Sequence, residues 1–314
     1  MSLLDRFKKR EPRALSRIIS YVENREENYR KVLSTLYKDT GKAYKIGLTG
    51  PPGAGKSTLM DSITEILVND GNRVGIIAVD PSSPFTGGAF LGDRIRMQNL
   101  SSNENVFIRS MATRGSMGGL ARATKDVSMV YDAYGFDYIL IETVGVGQVE
   151  LDIVDAADTV VVAIVPESGD VIQAMKAGLM EIANVFCVNK ADREGSDRVI
   201  SELNHLLQLK RERADWGYPV IPTSAVKKEG IDLLIKAIMQ HKDYLMESGR
   251  FKANRKEQIR KDIIEHIRTM LSANIEDQLH SAETFENLLE DIYNRKNDPV
   301  KTAMELYDRH YSKK

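Results

Sequence analysis

Gly50-Pro51-Pro52-Gly53-Ala54-Gly55-Lys56-Ser57 is the stretch on which the reading of this chain turns. Its spacing is G-x-x-x-x-G-K-[ST]. An apolar run at 45–49 stands before it and an amphipathic segment at 56–68 after it, so it reads as a loop between strand and helix. The chemistry follows from that context. Gly53 and Gly55 lack a Cβ, so the backbone can curl and aim successive N–H groups at phosphate oxygens. The start of the helix adds partial positive charge. Lys56 is expected to reach the β- and γ-phosphates of a nucleotide and the Ser57 hydroxyl to ligate Mg²⁺. Ala54 and Thr58 belong to the same phosphate-binding set.

Outward from this loop, short apolar runs alternate with helical segments. The runs are 74–79, 106–110, 138–142, 159–165, 185–189 and 220–222. Strands this apolar, each followed by a helix, predict an α/β fold with a mostly parallel sheet covered by helices on both faces. Upstream, Leu15, Ile18, Ile19 and Val22, then Tyr29, Val32, Leu33 and Leu36, recur at helical spacing. Residues 1–43 are therefore expected as an N-terminal helical extension and 44–248 as the sheet domain. The latter closes with a helix at about 229–246, whose stripe is Ile231, Leu234, Ile235 and Ile238. Residues 249–314 read as a charged helical arm with stripes Ile259, Ile263, Ile267, Met270 and Phe285, Leu288, Leu289, Ile292.

Base choice rests on Asn189-Lys190-Ala191-Asp192, at the end of the run 185–189. A carboxylate there accepts two hydrogen bonds from the N1 and N2 donors of guanine. Adenine lacks the 2-amino group and presents an acceptor at N1, so it would leave Asp192 unpaired. Lys190 is expected along the base face, and Asn189 as a tie between loops. Thr223-Ser224-Ala225 follows the next strand, with the Ala225 N–H expected at guanine O6 beside Ser224. GTP is thus expected in preference to ATP.

Two acidic loops lie between these motifs. Asp80 opens Pro81-Ser82-Ser83-Pro84-Phe85-Thr86-Gly87-Gly88-Ala89, a segment able to reorder with the nucleotide. Asp93 follows, readable as a metal-site carboxylate or as a helix cap. Glu142 opens Thr143-Val144-Gly145-Val146-Gly147-Gln148. A carboxylate at that strand end can hold the water shell of Mg²⁺ or orient the attacking water, and Gly145 can donate its N–H to the γ-phosphate. Ras-type proteins have Gln directly after this glycine, where this chain has Val146. The water-positioning role does not pass simply to Gln148, and slow intrinsic hydrolysis is expected.

Composition limits the alternatives. The 314 residues are 42% hydrophobic and 28% charged, and Lys+Arg 44 against Asp+Glu 45 leave a net charge of -1. That balance argues against a general nucleic-acid binder, which needs a basic surface. A single cysteine, Cys187, rules out a disulfide within the chain and fits a reducing compartment. The first ten residues lack the apolar core of a signal peptide, and no run approaches the ~20 residues needed to cross a bilayer. No nucleic acid and no membrane are expected as partners, and a cytoplasmic location is.

With those residues quoted, the chain resembles the MeaB/MMAA family of G-proteins, once described as ArgK or LAO/AO transport kinases. The matches are residues 50–58, Val79-Asp80-Pro81-Ser82-Ser83, Gly87-Gly88 with Leu91-Gly92-Asp93, Glu142-Thr143-Val144-Gly145-Val146-Gly147-Gln148, and Asn189-Lys190-Ala191-Asp192. The resemblance implies a GTPase chaperone that gates cofactor loading and protects an adenosylcobalamin-dependent acyl-CoA mutase. That mutase acts on methylmalonyl-CoA, isobutyryl-CoA or hydroxyisobutyryl-CoA. It further implies a homodimer built through the arm, contact with an adenosyltransferase through the mutase, and adenosylcobalamin held by the mutase rather than by this chain. A third switch loop is implied at Pro166-Glu167-Ser168-Gly169-Asp170, running on to Lys176, where the sequence departs from the family's Gly-Ala-Gly-Asp form.

Two rivals stand beside this reading. An ATP-dependent kinase of amino-acid-binding transport proteins meets the objection of Asp192. A nickel-insertion GTPase would carry Cys or His clusters, whereas Cys187 is alone and His205, His241, His266, His280 and His310 are scattered.

Overall fold

The computed structural model describes residues 2–80, 100, 102–112, 117–143, 152–166, 178–212, 214–280 and 283–311. It forms two units, Met1–Asn254 and Arg255–Lys314. The first opens with three helices, α1 (Leu3–Lys8), α2 (Pro12–Glu23) and α3 (Tyr29–Tyr37). Strand β1 (Tyr44–Thr49) then leads into α4 (Lys56–Asn69), followed by β2 (Val74–Asp80), β3 (Val106–Ala112), α5 (Met117–Tyr134) and β4 (Tyr138–Glu142). A 3₁₀ turn (Ile153–Asp155) precedes β5 (Thr159–Ile164), α6 (Leu179–Ile182), β6 (Val185–Val188), α7 (Ser196–Arg211), β7 (Val220–Pro222) and α8 (Ile231–Glu247).

All seven apolar runs are strands of one sheet, ordered β3-β2-β4-β1-β5-β6-β7, and every pairing is parallel. The carboxyl ends therefore share one edge. Strand β1 lies between β4 and β5, and the chain leaves β1 for one side of the sheet and later crosses to the other. Open α/β sheets bind ligands at such a reversal. The carboxyl ends of β1, β4 and β5 are brought there together.

Both faces are buried, which is why the strands read as continuous apolar runs rather than alternating ones. On one face Ile46, Leu48 and Leu140 pack with Leu59 and Ile63 of α4 and Leu234 and Ile238 of α8. On the other, Ile77 and Ile139 pack with Tyr131 of α5 and with Leu15, Ile18 and Val22 of α2. The N-terminal helices are thus part of the sheet unit: their apolar stripe closes its second face. Cys187 is buried in β6, and burial pushes its thiol up to about 12. At the amino ends of the strands, Thr159 Oγ1 lies 2.5 Å from the Tyr44 hydroxyl and 2.7 Å from Nδ1 of buried His241 on α8.

One carboxylate fixes the N-terminal helices to the sheet. Asp132 of α5, 2% exposed, accepts the backbone N–H groups of Gly41, Lys42 and Ala43 at 2.8, 3.0 and 3.0 Å. The turn that feeds β1 therefore closes onto a side chain 89 positions away from Ala43. Asp132→Ala leaves the buried Ala43 donor without its acceptor and returns the other two to water, costing about 2–4 kcal/mol. For a unit of this size the melting temperature should drop by roughly 5–15 °C. Asp132→Asn, which keeps one acceptor oxygen, should fall between. A thermal melt of Asp132→Ala indistinguishable from the parent would remove Asp132 from this role.

Helix α9 (Arg250–His280) starts after Gly249, whose φ is 70°. The division falls at Asn254, a few residues beyond the expected boundary at 249. The reason is Phe251, which stacks on Tyr44 at 6.2 Å and so keeps the first turn of α9 with the sheet unit. The second unit holds the rest of α9 with α10 (Glu283–Tyr293) and α11 (Pro299–Tyr311). Ile259, Ile263, Ile267 and Met270, the stripe read from the sequence, are all exposed there. Among the described residues no helix is long and apolar enough to cross a membrane.

Candidate nucleotide site

The loop after β1 takes its shape from positive φ angles that only glycine adopts freely: 140° at Gly50, 79° at Gly53 and 81° at Gly55. Close approach adds to this. A Cβ at Gly50 would sit 2.1 Å from the Ala163 carbonyl oxygen, and one at Gly55 would sit 2.4 Å from Nδ2 of Asn189. Gly55 caps α4, so the first helical turn, whose N–H groups have no acceptor within the helix, opens onto the loop. Lys56 is buried, and its Nζ donates to the carbonyls of Gly50 and Pro51 at 2.8 and 3.1 Å. The ammonium lies across the mouth of the loop, where it can exchange carbonyl partners for phosphate oxygens.

Behind the loop, Ser57 Oγ donates to Glu142 Oε1 at 2.8 Å, and Glu142 is 6% exposed. The pair arises from strand order: β4 lies beside β1 with Leu48 opposite Glu142, so the end of β4 meets the start of α4. Thr143, next in sequence, donates its backbone N–H to Leu48 at 3.2 Å and its hydroxyl to Thr49 Oγ1 at 2.8 Å. The backbone of Asp80 ends β2, two residues past Ala78, which faces Glu142 across the β2–β4 pairing. Its side chain lies outside the described residues, as do Asp93, Gly145, Gln148, Asp170 and Lys176.

On the other side, Asn189 joins three loops with one amide. Its Nδ2 donates to Ala54 O in the glycine-rich loop at 2.8 Å. Its Oδ1 accepts from the Ala225 N–H at 3.1 Å and from the Thr223 hydroxyl at 3.2 Å. The Ala225 N–H, expected at guanine O6, donates here to the amide oxygen that buried Asn189 turns toward that loop. Ala191 N–H reaches Thr223 O at 2.9 Å, and Lys190, between Asn189 and Ala191, adopts a left-handed φ of 57°. The turn from Ser224 to Glu229 is closed by backbone bonds of 3.0 and 3.1 Å.

The Asp192 carboxylate is held below the usual carboxylate range by a hydrogen bond from the Ser224 side chain and then by Lys227, whose Nζ is 3.2 Å from Oδ2. Asp192 is therefore an ionised acceptor, as reading N1–H and N2–H donors requires. Thr223 entered the sequence reading only as the first residue of Thr-Ser-Ala, and Thr143 only within the loop that Glu142 opens; Lys227 and the contact of Thr143 with Thr49 escaped it. Among the described residues no group of three or more His, Cys, Asp or Glu side chains is placed to hold a metal.

A family model described as methylmalonyl-CoA mutase-associated GTPase MeaB matches residues 15–282. A putative GTPase of Pyrococcus abyssi is 49% identical over 304 residues, covering 96% of this chain and 94% of the relative. The GTPase ArgK of Escherichia coli is 35% identical, covering 86% and 85%. The mitochondrial methylmalonic aciduria type A homolog of mouse is 37% identical, covering 72% of this chain and 57% of that protein. Among solved structures, an LAO/AO transport system kinase superposes with a TM-score of 0.70 at 26% identity, covering 98% of this chain and 95% of the other.

Proposed function

The chain belongs to the MeaB family of methylmalonyl-CoA mutase-associated GTPases, and we propose that it is the GTP-driven chaperone of an adenosylcobalamin-dependent acyl-CoA mutase. GTP hydrolysis is its activity. The observation that carries a guanine-specific site is the three-way tie at Asn189, which sets Asp192 and the phosphate loop in one frame. In that frame Lys56 and the first turn of α4 hold the phosphates and offset the charge that builds on them during transfer. Asp192 takes the two guanine donors, and the stem of Lys190 lies along the base.

Ser57 and Glu142 suit Mg²⁺. They are a hydroxyl and a carboxylate 2.8 Å apart, hard oxygens at about the spacing of neighbouring ligands around that ion. Ser57 would ligate it and Glu142 would hold it or its water shell, with Asp80 and Asp93 as the further carboxylates. When bound, the ion would neutralise charge on the phosphates. The exposed stripe of α9 supports a homodimer through the arm. Adenosylcobalamin belongs to the mutase.

The test is GTP turnover with methylmalonyl-CoA mutase and with isobutyryl-CoA mutase added in turn. One of them should accelerate hydrolysis at least about tenfold, within the range that a group supplied in trans gives other GTPases. Lys176→Ala, in the proposed third switch, should keep the basal rate and lose most of that gain. Unchanged turnover with every such mutase would remove the chaperone role while leaving the GTPase intact.

A further inference from the structure

We infer that Thr143 is a positioning residue for hydrolysis, acting through Thr49 to hold Glu142 at a fixed height beside the phosphate loop. The inference rests on the GTPase reading of the site and goes beyond it. Successive side chains of an extended segment leave opposite faces of the sheet. Glu142 leaves on the α4 face, where Ser57 meets it at 2.8 Å. Leu48, in register with Glu142, packs with Leu59 and Ile63 of α4 on that same face. Thr143 and Thr49 leave on the other face. There Gly47, two residues before Thr49, lies directly under Ile153 of the 3₁₀ turn.

The start of the second acidic loop is therefore gripped from both sides of the sheet, and the backbone bond from Thr143 N–H to Leu48 O, 3.2 Å long, lies between the two grips. Both threonines are buried, at 0% and 4% exposure, so no water substitutes for the 2.8 Å contact between their hydroxyls. Neither touches the phosphate cradle with its side chain as Lys56 and Ser57 do. Thr49 directly precedes Gly50, however, and Thr143 directly follows Glu142. Any change in the height of the phosphate loop is thus transmitted to the carboxylate, and the reverse. A buried hydroxyl-to-hydroxyl bond is a directional tether; a valine of the same shape would fill the space without setting that height. Misplacement by a fraction of an ångström is felt in chemistry long before it is felt in binding.

The experiment measures steady-state GTP turnover and calorimetric GDP affinity on the full chain for the parent, Thr143→Val, Thr143→Ser, Thr49→Val and the double valine variant. Thr143→Val should lower kcat about tenfold or more while KM for GTP and GDP affinity stay within about threefold. Thr143→Ser, which keeps the hydroxyl, should recover to within about threefold of the parent. The double variant should be no worse than the poorer single one, because both remove one bond. Thr49→Val reads the same bond if Thr143→Val folds poorly. Parental kcat in either valine variant, an equal loss in Thr143→Ser, GDP affinity falling along with kcat, or additive losses in the double variant would each overturn the inference. Glu142→Gln is assayed alongside: parental turnover there would discard the reading of the site itself, a result distinct from any of these.

Discussion

GTP turnover by Lys56→Ala is expected to fall by about 10³-fold or more, the scale on which a single cation acts in phosphoryl transfer. The structure explains why so much depends on one side chain. Lys56 is buried, its ammonium already lies against the carbonyls of Gly50 and Pro51, and those carbonyls belong to the loop that must receive the phosphates. A charge held in that position needs little rearrangement to meet a phosphate oxygen, and in a water-poor setting it is worth more than in bulk solvent. Alanine is a good helix former and sits at the first position of α4, so the variant should fold, as circular dichroism would show. Single-turnover phosphate release is the measurement. Release within a few-fold of the parent would mean that Lys56 does not carry the phosphate charge.

Asp192→Asn should weaken GTP by about 1–3 kcal/mol, roughly a 5- to 150-fold loss, and turn the site toward xanthine nucleotides. Lys227 decides the direction. In the parent it donates to the carboxylate at 3.2 Å. A lysine only donates, so an asparagine amide placed there turns its oxygen to Lys227 and its NH₂ toward the base. Guanine then meets a donor with its own N2 donor, whereas the C2 oxygen of xanthine meets a partner. Calorimetry with GDP and xanthosine diphosphate reads both limbs. Equal GDP affinity in parent and variant, or no gain for the xanthine nucleotide, would end the claim that Asp192 chooses the base.

Much of the frame was legible because burial on both faces leaves a simple trace, an apolar run between helical segments. The runs at 138–142 and 220–222 coincide with β4 and β7 to the residue. Strand β6 stops one residue short of the expected end because the backbone turns at Lys190, whose φ is 57°, although the Asn189 N–H still bonds to Ile164 O at 2.8 Å. What stayed hidden depends on contacts between distant positions. Nothing local marks Thr49 and Thr143 as partners, since each reads as an ordinary residue at a strand end; only the placing of β4 beside β1 brings them together. The engagement of the Ala225 N–H by Asn189 is of the same kind. The seat of Phe251 on Tyr44 likewise joins residues 207 positions apart, and no periodicity within either segment announces it.

The contact between Gly55 and Asn189 has a consequence for anyone who would rebuild this protein. The two positions are 134 apart in the chain, yet any side chain at 55 would begin 2.4 Å from the Asn189 amide nitrogen. The module that grips phosphate and the module that reads the base are thus not interchangeable parts. A loop grafted onto either from another nucleotide enzyme must arrive with its counterpart, because the donor's asparagine and the donor's glycine were fitted to each other. Swapping one alone would trade a change of specificity for a steric clash at the seam.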